Sequence, residues 1–318
     1  MKWKYILKRL LIAIPTFLGI TVLAYFILNL APGTPLDALL ADPGITPAEL
    51  ARKRIALGLD QPVVIQYVRW LGLLLRGDMG FSYSTQRPVA VMIGERLPAT
   101  ATLAAASILL SLLVSIPLGI YAASKPNSKR DYISGGISLL MMATPNFFVG
   151  LVFIYLFAIV LKILPSGGMY DSAGVKSGAA LFRHMIMPCL VLSFQQIGGW
   201  VRHMRSSMLE VMQEDYIRTA RSKGLKKWAV IYRHGLKNAL IPVITVVGMS
   251  IPSLVGGAVI TEQVFGWPGV GTLMVTAING RDYPVIMGIT VMIAVAVLLA
   301  NILTDVAYGL LDPRISYK

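Results

Sequence analysis

The sequence predicts an all-α, polytopic membrane protein with six transmembrane helices and cytoplasmic N- and C-termini, folded as a single transmembrane domain over residues 1–318. Three observations support this prediction. Of the 318 residues, 56% are hydrophobic and only 14% are charged, which is typical of integral membrane proteins. Several apolar runs are long enough to cross a bilayer. Lys and Arg are concentrated in alternate connecting segments, as in other membrane proteins.

Six apolar runs are predicted to span the membrane. The first follows a basic segment, 2–9, as in a signal peptide. It is too long for the apolar core of a signal peptide, and no small-x-small cleavage site follows it, so we expect an uncleaved span. The fourth run is the shortest and contains Gln195 and Gln196. The six predicted spans are 10–30, 98–123, 133–161, 185–201, 240–260 and 285–303.

The distribution of basic residues predicts the orientation of the spans. If the N-terminus is inside, the cytoplasmic segments 2–9, 125–130, 202–237 and 314–318 contain most of the Lys and Arg residues. The opposite side has fewer, and over residues 31–97 acidic residues nearly balance them. The positive-inside rule then places both termini in the cytoplasm. The net charge of +14 is thereby explained by membrane lipid, and we expect no nucleic-acid partner.

Residues 31–97 are predicted to form an extracytoplasmic helical insertion between the first two spans. The sequence Thr-Pro-Ala-Glu at 46–49 has the pattern of a capping box with proline at the first helical position, and Gly58 is placed to end that helix. A second helix is expected over 62–76, and a third, shorter one from Pro88. The insertion is too small and too polar to bury a core of its own. We expect it to pack on the outer ends of the spans; contact with a delivered substrate protein is the alternative.

The longest polar segment with a helical pattern, 210–242, lies between two apolar spans. Gly224 divides it, and because glycine tolerates positive φ it permits a sharp corner. Before this corner, Tyr216, Ile217 and Ala220 are predicted to share one helical face. After it, an apolar stripe recurs at steps of three and four. We expect two short amphipathic helices that dock another protein, with adsorption to anionic lipid as the alternative. The stripe consists of Trp228, Ile231, Tyr232, Leu236 and Ala239.

The residues Asp-Tyr-Ile-Arg-Thr-Ala-Arg-Ser-Lys-Gly at 215–224 and His-Gly-Leu-Lys-Asn-Ala-Leu-Ile-Pro at 234–242 closely resemble the cytoplasmic EAA loop of ABC importer permeases. The resemblance is closest to the dipeptide, oligopeptide and nickel branch. The Glu-Ala-Ala of the general consensus is replaced here by Arg218, Thr219 and Ala220. The stretch after the corner glycine is also longer than in that consensus. Both departures are usual in this branch, but we assume no specific salt bridge from the first position of the motif.

The resemblance extends over nearly the whole chain and is closest to first-permease subunits of the dipeptide and oligopeptide transporters. Thr34 stands where an acidic residue is common in the family. Each matching segment is weak alone, but their order and coverage make the match specific. The segments are 32–35, 57–62, 76–80, 96–100, 164–168, 266–271 and 281–284.

This resemblance implies the type I architecture of ABC importer permeases and a location in the cell membrane of a prokaryote. The implied partners are a second homologous permease, two ABC ATPase subunits that hold ATP and Mg²⁺, an extracytoplasmic solute-binding protein and membrane lipid. No cofactor is expected on this chain. The cytoplasmic loop 209–240 is implied to be the coupling-helix loop that docks in a groove of the ATPase. Its ATPase-coupling residues would be Glu214, Asp215, Tyr216, Arg218, Thr219, Ala220, Arg221, Lys223 and Gly224.

The sequence contains no recognisable motif for catalysis or metal binding. It has no Gly-x4-Gly-Lys-Ser/Thr loop, no His-Glu-x-x-His, no Gly-x-Ser-x-Gly and no Cys/His cluster with metal spacing. The lone Cys189 is expected to be a packed small residue. The histidines His184, His203 and His234 are expected to be satisfied surface side chains. We therefore predict a non-catalytic subunit that does not itself hydrolyse ATP.

Polar side chains within the predicted spans are candidates for a translocation pathway, because each is costly in hydrocarbon unless it finds a partner or faces water. Asn146 follows Pro145, which is expected to bend its helix. Gln195 and Gln196 interrupt the fourth span. Hydrogen bonding between helices is the alternative role for all three.

The leading functional hypothesis is a permease subunit that imports peptides, or a related solute such as a nickel chelate or glutathione, by alternating access. A stand-alone secondary transporter is a second hypothesis. Coupling to protons or sodium usually needs acidic residues at mid-membrane, whereas Asp305 lies close to a span end. A non-transporting membrane scaffold is a third hypothesis; it would account for the docking loop but not for the polar residues within the spans. The sequence does not identify the solute.

Overall fold

The computed structural model of the protein describes residues 2–30, 32–34, 36, 46–171 and 177–311. Within these ranges the chain is helical, and the only β-structure described is one antiparallel bridge between Phe81 and Pro88. The helices are α1 (Lys2–Leu30), α2 (Pro47–Ala56), α3 (Val63–Leu74), α4 (Val89–Ala123), α5 (Lys129–Ala143), α6 (Asn146–Phe153), α7 (Gly178–Val211), α8 (Asp215–Ser222), α9 (Leu236–Phe265), α10 (Val270–Asn279) and α11 (Tyr283–Leu311). A π-helical stretch, Ile154–Val160, continues α6; a short turn, Lys227–Ala229, and a second π-helical stretch, Val230–Gly235, lead into α9.

Five helices of the described chain are long and apolar enough to cross a membrane: Leu11–Leu30, Val89–Ala123, Gly178–Val211, Lys227–Ile251 and Tyr283–Thr304. They overlap the first, second, fourth, fifth and sixth predicted spans, although the second and fourth begin earlier than predicted and the fifth is offset towards the N-terminus. Several parts of the sequence analysis lie outside the described residues: positions 31, 35 and 37–45 of the insertion, the C-terminal segment 314–318 and the side chain of Asp305.

The third predicted span, 133–161, is not one straight helix. α5 and the helical stretch Asn146–Val160 meet at an angle of 96°. Pro145 lies between them; its ring cannot donate a backbone hydrogen bond and disfavours helical geometry in Thr144. The bend therefore occurs where the sequence predicts one, but it is sharp enough to divide the span in two.

The insertion contains the two predicted helices, α2 and α3. Thr46 caps α2 as predicted: its N–H donates to Glu49 Oε2 (2.9 Å), and the N–H of Glu49 donates to Thr46 Oγ1 (3.3 Å). The hydrogen bond from the Thr46 backbone, followed by that from its side chain, lowers the pKa of the Glu49 carboxyl. Gly58 follows the helix with a φ of 69°, the left-handed conformation that glycine adopts readily.

The expectation of a separate short helix from Pro88 is wrong. Val89 is instead the first residue of α4, which continues to Ala123. Proline is favourable at the start of a helix, and no residue between 89 and 97 stops this one. Pro98 lies within α4, because neighbouring groups satisfy the backbone atoms that a proline frees in a membrane helix.

Residues 1–99 and 269–298 form one compact unit. In this unit α4, α10 and α11 share an apolar core. α3 packs on α1, where Tyr67 is 8% exposed, its hydroxyl lies 3.1 Å from Thr21 Oγ1 and its ring centroid is 5.5 Å from that of Tyr25. The buried core residues are Val89, Met92, Ile93, Val270, Ala277, Val285, Ile286 and Ile289.

Asp282, just before α11, forms hydrogen bonds with residues 82–84 in the same unit. Its side chain is buried, and Oδ2 accepts hydrogen bonds from Ser82 Oγ (2.5 Å) and Ser84 Oγ (2.8 Å), while Oδ1 accepts from the N–H of Tyr83 (3.0 Å). A buried carboxylate is tolerated only when it is paired or hydrogen-bonded in this way. Burial first, and then the charge of Asp282, raises the pKa of Tyr83 to about 12, so this phenol is neutral at physiological pH.

Residues 100–268 and 299–318 form the second compact unit. α7 lies at its centre and packs against α5 and α9. Close approach of α5 and α7 depends on Gly198, because a Cβ at that position would lie 2.6 Å from the carbonyl oxygen of Ser138 and 3.1 Å from Met141 Cβ. The neighbouring Gly199 faces open space, with no atom within 4 Å of a Cβ built there.

Gly198→Ala is therefore expected to force α5 and α7 apart, at a cost of roughly 1–3 kcal/mol of stability. Gly199→Ala is the matched control; it should be neutral or stabilising, since alanine is favoured over glycine in a helix by about 1 kcal/mol. The thermal unfolding midpoints of the two purified variants in detergent measure the difference. Equal midpoints would show that α5 and α7 are not in the contact described.

Candidate functional site

The polar segment after α7 folds into a short helix followed by a corner. α7 ends at Val211, and Glu214 adopts an extended conformation (φ −65°, ψ 147°) from which α8 begins. Asp215 lies in the first turn of α8 and Arg221 in the last, the placement that the helix dipole favours. Gly224 has a φ of 75°, the left-handed conformation predicted for the corner.

One face of α8 is buried in the protein. Ile217 is completely buried and Ala220 almost so, and both belong to an apolar cluster with Val230, against which Met212 packs. We call this cluster of four residues, two from α8 itself and two from the segments on either side of it, the seat of α8. An eight-residue helix is only marginally stable in isolation, so α8 depends on this seat for its structure and its orientation.

Tyr216, predicted to share that face, lies at its edge. Its side chain is 40% exposed, and its hydroxyl accepts a hydrogen bond from Asn238 Nδ2 (2.7 Å). This bond links the first turn of α8 to the start of α9 across the corner. Because it spans the two arms of the corner, it restricts their relative movement.

The remaining residues of this segment face outward, and we call them the coupling surface. Arg218 and Asp215 form an ion pair 3.3 Å long, but their side chains are 73% and 94% exposed. Such exposed pairs contribute little to stability, so both groups remain available to a partner. Ala220, also predicted as a coupling residue, is buried and belongs to the seat. The coupling surface consists of Glu214, Asp215, Arg218, Thr219, Arg221, Lys223 and Gly224.

The apolar stripe predicted after the corner is only partly present. Ile231 and Ala239 are buried and Leu236 is half-buried, but Trp228 and Tyr232 are 65% and 53% exposed. The π-helical stretch Val230–Gly235 lies within the stripe, and a π-helix has a wider turn than an α-helix. The α-helical pattern assumes that residues three and four apart share one face. In this stretch they do not all do so.

The predicted pathway residues Gln195 and Asn146 are placed at the bend between α5 and α6. Gln195, on α7, donates from Nε2 to the carbonyl oxygen of Thr144 (3.1 Å) at the break. Asn146 is the first residue of α6, and its buried Oδ1 accepts no hydrogen bond from the described part of the chain. Gln196 follows on α7 and is half-buried. Gln195 thus forms an interhelical hydrogen bond, which was the alternative role considered for it. The Oδ1 atom of Asn146 has no donor among the described residues.

An ion pair between α5 and α7 was not predicted. The Arg205 guanidinium donates hydrogen bonds to both oxygens of the buried Asp131 carboxylate, with 2.6 Å between Nη2 and Oδ2. The N–H of Asn127 donates to the same Oδ2 over 3.0 Å. A buried carboxylate needs such partners. No sequence signal connects positions 74 residues apart, so only the fold reveals this pair.

His184 is buried, contrary to the expectation of a surface side chain. Its Nδ1 lies 2.9 Å from the carbonyl oxygen of Gly167, and its Nε2 lies 3.1 Å from Asp171 Oδ1. The ring therefore joins the start of α7 to the loop before it. His203 is exposed and His234 is half-buried.

Two family models match this chain. The family described as "Binding-protein-dependent transport system inner membrane component" matches residues 115–317. A second family model, described as "Binding-prot-dependent transport system membrane comp, N-term", matches residues 2–104.

The relatives cover this chain over nearly its whole length. The "Oligopeptide transport system permease protein AppB" of Bacillus subtilis is 43% identical over 314 residues, which is 98% of this chain and 99% of the relative. The "Dipeptide transport system permease protein DppB" of Escherichia coli K12 is 36% identical over 336 residues, which is 99% of each. Among solved structures, an inward-facing conformation of the MetNI methionine ABC transporter matches with a TM-score of 0.58 and 16% identity, over 70% of this chain and 97% of that chain. This last likeness shows a shared fold.

Ile217→Ala is expected to loosen α8 from its seat, since removing a buried aliphatic side chain costs about 2–4 kcal/mol. Amide hydrogen exchange over residues 215–222 should become faster, while exchange in the middle of α7 stays unchanged. Thr219→Ala, at an exposed position of the same helix, is the control. It should leave amide exchange unchanged both over residues 215–222 and in the middle of α7. Unchanged exchange in the Ile217 variant would mean that the seat does not hold α8.

Proposed function

Because this chain belongs to the family of inner membrane components of binding-protein-dependent transport systems, we propose that it is one of two permease subunits of an ATP-driven importer that moves peptides into the cytoplasm. The full-length similarity to permeases named for oligopeptide and dipeptide transport supports peptides as the solute. Nickel chelates and glutathione are the alternative solutes. The chain acts as a non-catalytic subunit.

The observation that carries this proposal is the coupling surface on α8. A rigid helix with one face buried and the other exposed and polar is suited to transmit the movement of a docked partner. The seat includes Met212, just beyond the last residue of α7, so a force on α8 passes directly into a membrane-spanning helix. A docked partner shifts the membrane helices only if it contacts their two arrangements differently.

The partners follow from this role. A second, homologous permease completes the pathway, and two ABC ATPase subunits hold ATP and Mg²⁺ and dock on the two coupling surfaces. An extracytoplasmic binding protein delivers the solute. ATP binding closes the ATPases, α8 moves with them, and the spans tilt so that the cavity opens outward; hydrolysis reverses the change. This cycle is alternating access.

The membrane arrangement of the proposal has six spans, with α5 and the Asn146–Val160 stretch together forming the bent third, and with both termini and the coupling surface in the cytoplasm. Single cysteines test it, because Cys189 is the only native cysteine and is buried. In a Cys189→Ser background, Thr219→Cys should react with an impermeant maleimide only from the cytoplasmic side, and Arg52→Cys only from the outside. Labelling of Thr219→Cys from outside would reverse the orientation.

Reversing charge on the coupling surface should uncouple transport. In the double variant Arg218→Glu and Lys223→Glu, ATP-driven peptide uptake by the four-subunit complex in proteoliposomes is expected to fall by about tenfold or more, as for loss of an interface hot spot. The chain should still insert and assemble, because neither side chain is buried.

The matched control changes the same number of charges on the insertion: Arg52→Glu and Lys53→Glu, both exposed on α2. Uptake should stay close to wild type in this variant. Wild-type uptake in the coupling-surface variant would disprove the docking role. Uptake that continues without ATP but stops when the proton gradient collapses would instead identify a secondary transporter.

A further inference from the structure

A cavity of about 760 Å³ lies between α5 and α7, which is within the size range of small-ligand sites. Glycines make the room for it: a Cβ built on Gly135, Gly136 or Gly199 meets no atom within 4 Å. Asp131 and Arg205 are among the residues that line it, as are Arg202 and His203 on α7.

The charge of this cavity is positive. Asp131 is the only acidic residue among those that line it, and its carboxylate is already bound by Arg205 and Asn127. Arg202 and His203 are exposed, and neither forms an ion pair with a carboxylate in the described part of the chain. The Arg202 guanidinium lies 3.8 Å from the sulfur of Met142. The cavity thus presents one guanidinium and one imidazole, neither of which pairs with an acid in the part of the chain that the structure describes.

The polar surface continues from this cavity along α7 into the membrane. Positions 195, 199, 202 and 206 are separated by four, three and four residues, so Gln195, Gly199, Arg202 and Ser206 lie along one helix face. Gln195 precedes Arg202 by two helical turns and lies nearer the middle of the predicted span 185–201, where its amide donates to the Thr144 carbonyl. A polar face of this length would be costly against hydrocarbon.

We propose that Arg202 and His203 bind the carboxylate of the transported solute as it passes along α7, and that they are thereby specificity-determining residues of the pathway. This inference rests on the proposed function. A guanidinium forms strong, charge-assisted hydrogen bonds with a carboxylate, and the imidazole can add a further donor. A phospholipid head group offers a similar anion, and the experiment below distinguishes the two sources.

The test uses trialanine, which has a free carboxylate, and trialanine amide, which has none. Binding is measured on the purified four-subunit transporter in nanodiscs of zwitterionic lipid, without the binding protein and without ATP. We expect trialanine to bind the wild type, and Arg202→Gln to weaken this binding by about tenfold, as for loss of a charge-assisted hydrogen bond. Binding of the amide should be weak and equal in both. His203→Gln should have a smaller effect in the same direction.

Lys129→Gln removes a positive charge from the first residue of α5, outside the cavity lining, and should leave trialanine binding unchanged. Several results would overturn the proposal: no trialanine binding by the wild type, equal loss in the Lys129 and Arg202 variants, or equal loss for trialanine and its amide. In nanodiscs with anionic lipid, an Arg202→Gln effect on lipid retention but not on trialanine would identify a lipid site instead. ATP-driven uptake by the wild type, measured in parallel, separates failure of this inference from failure of the proposed function.

Discussion

Within a membrane every backbone polar group must be satisfied by the protein itself, and the bend between α5 and α6 shows how this chain meets that constraint. The hydrogen bond from Gln195 to the Thr144 carbonyl replaces one that the helix loses at the break. Pro145, in turn, has no N–H to satisfy. A glutamine that interrupts one apolar helix thus permits its neighbour to turn through 96°. This contact satisfies one backbone acceptor at the break.

α7 connects the features that matter for function. It is 34 residues long, carries Gln195 and Gln196 in its middle, lines the basic cavity with Arg202 and His203, and leads directly to α8. Its other faces pack closely on α5 through Gly198 and bind Asp131 through Arg205. The same helix therefore contacts α5 at several points along its length and ends close to α8.

The sequence predicts the parts of this structure that depend on local chemistry. The capping box at Thr46, the corner at Gly224 and the break at Pro145 follow from residues within a few positions of one another, and all three are present. The contacts that depend on distant residues were not predictable: Asp131 with Arg205, and the burial of His184. The outward position of Tyr232 was missed for another reason, because hydrophobic spacing assumes an α-helix and the stretch Val230–Gly235 is a π-helix. The exact angle at Pro145 likewise depends on the helices around it.

The contact between Asp282 and residues 82–84 has a mechanical consequence. Apolar surfaces can slide over one another with little loss of contact energy. Hydrogen bonds to a buried carboxylate are directional and break when the partners rotate. Residues 82–84 and the first turn of α11 therefore resist independent rotation about the helix axis. A rotation imposed on residues 82–84 would therefore be passed to α11 as a turn of the helix.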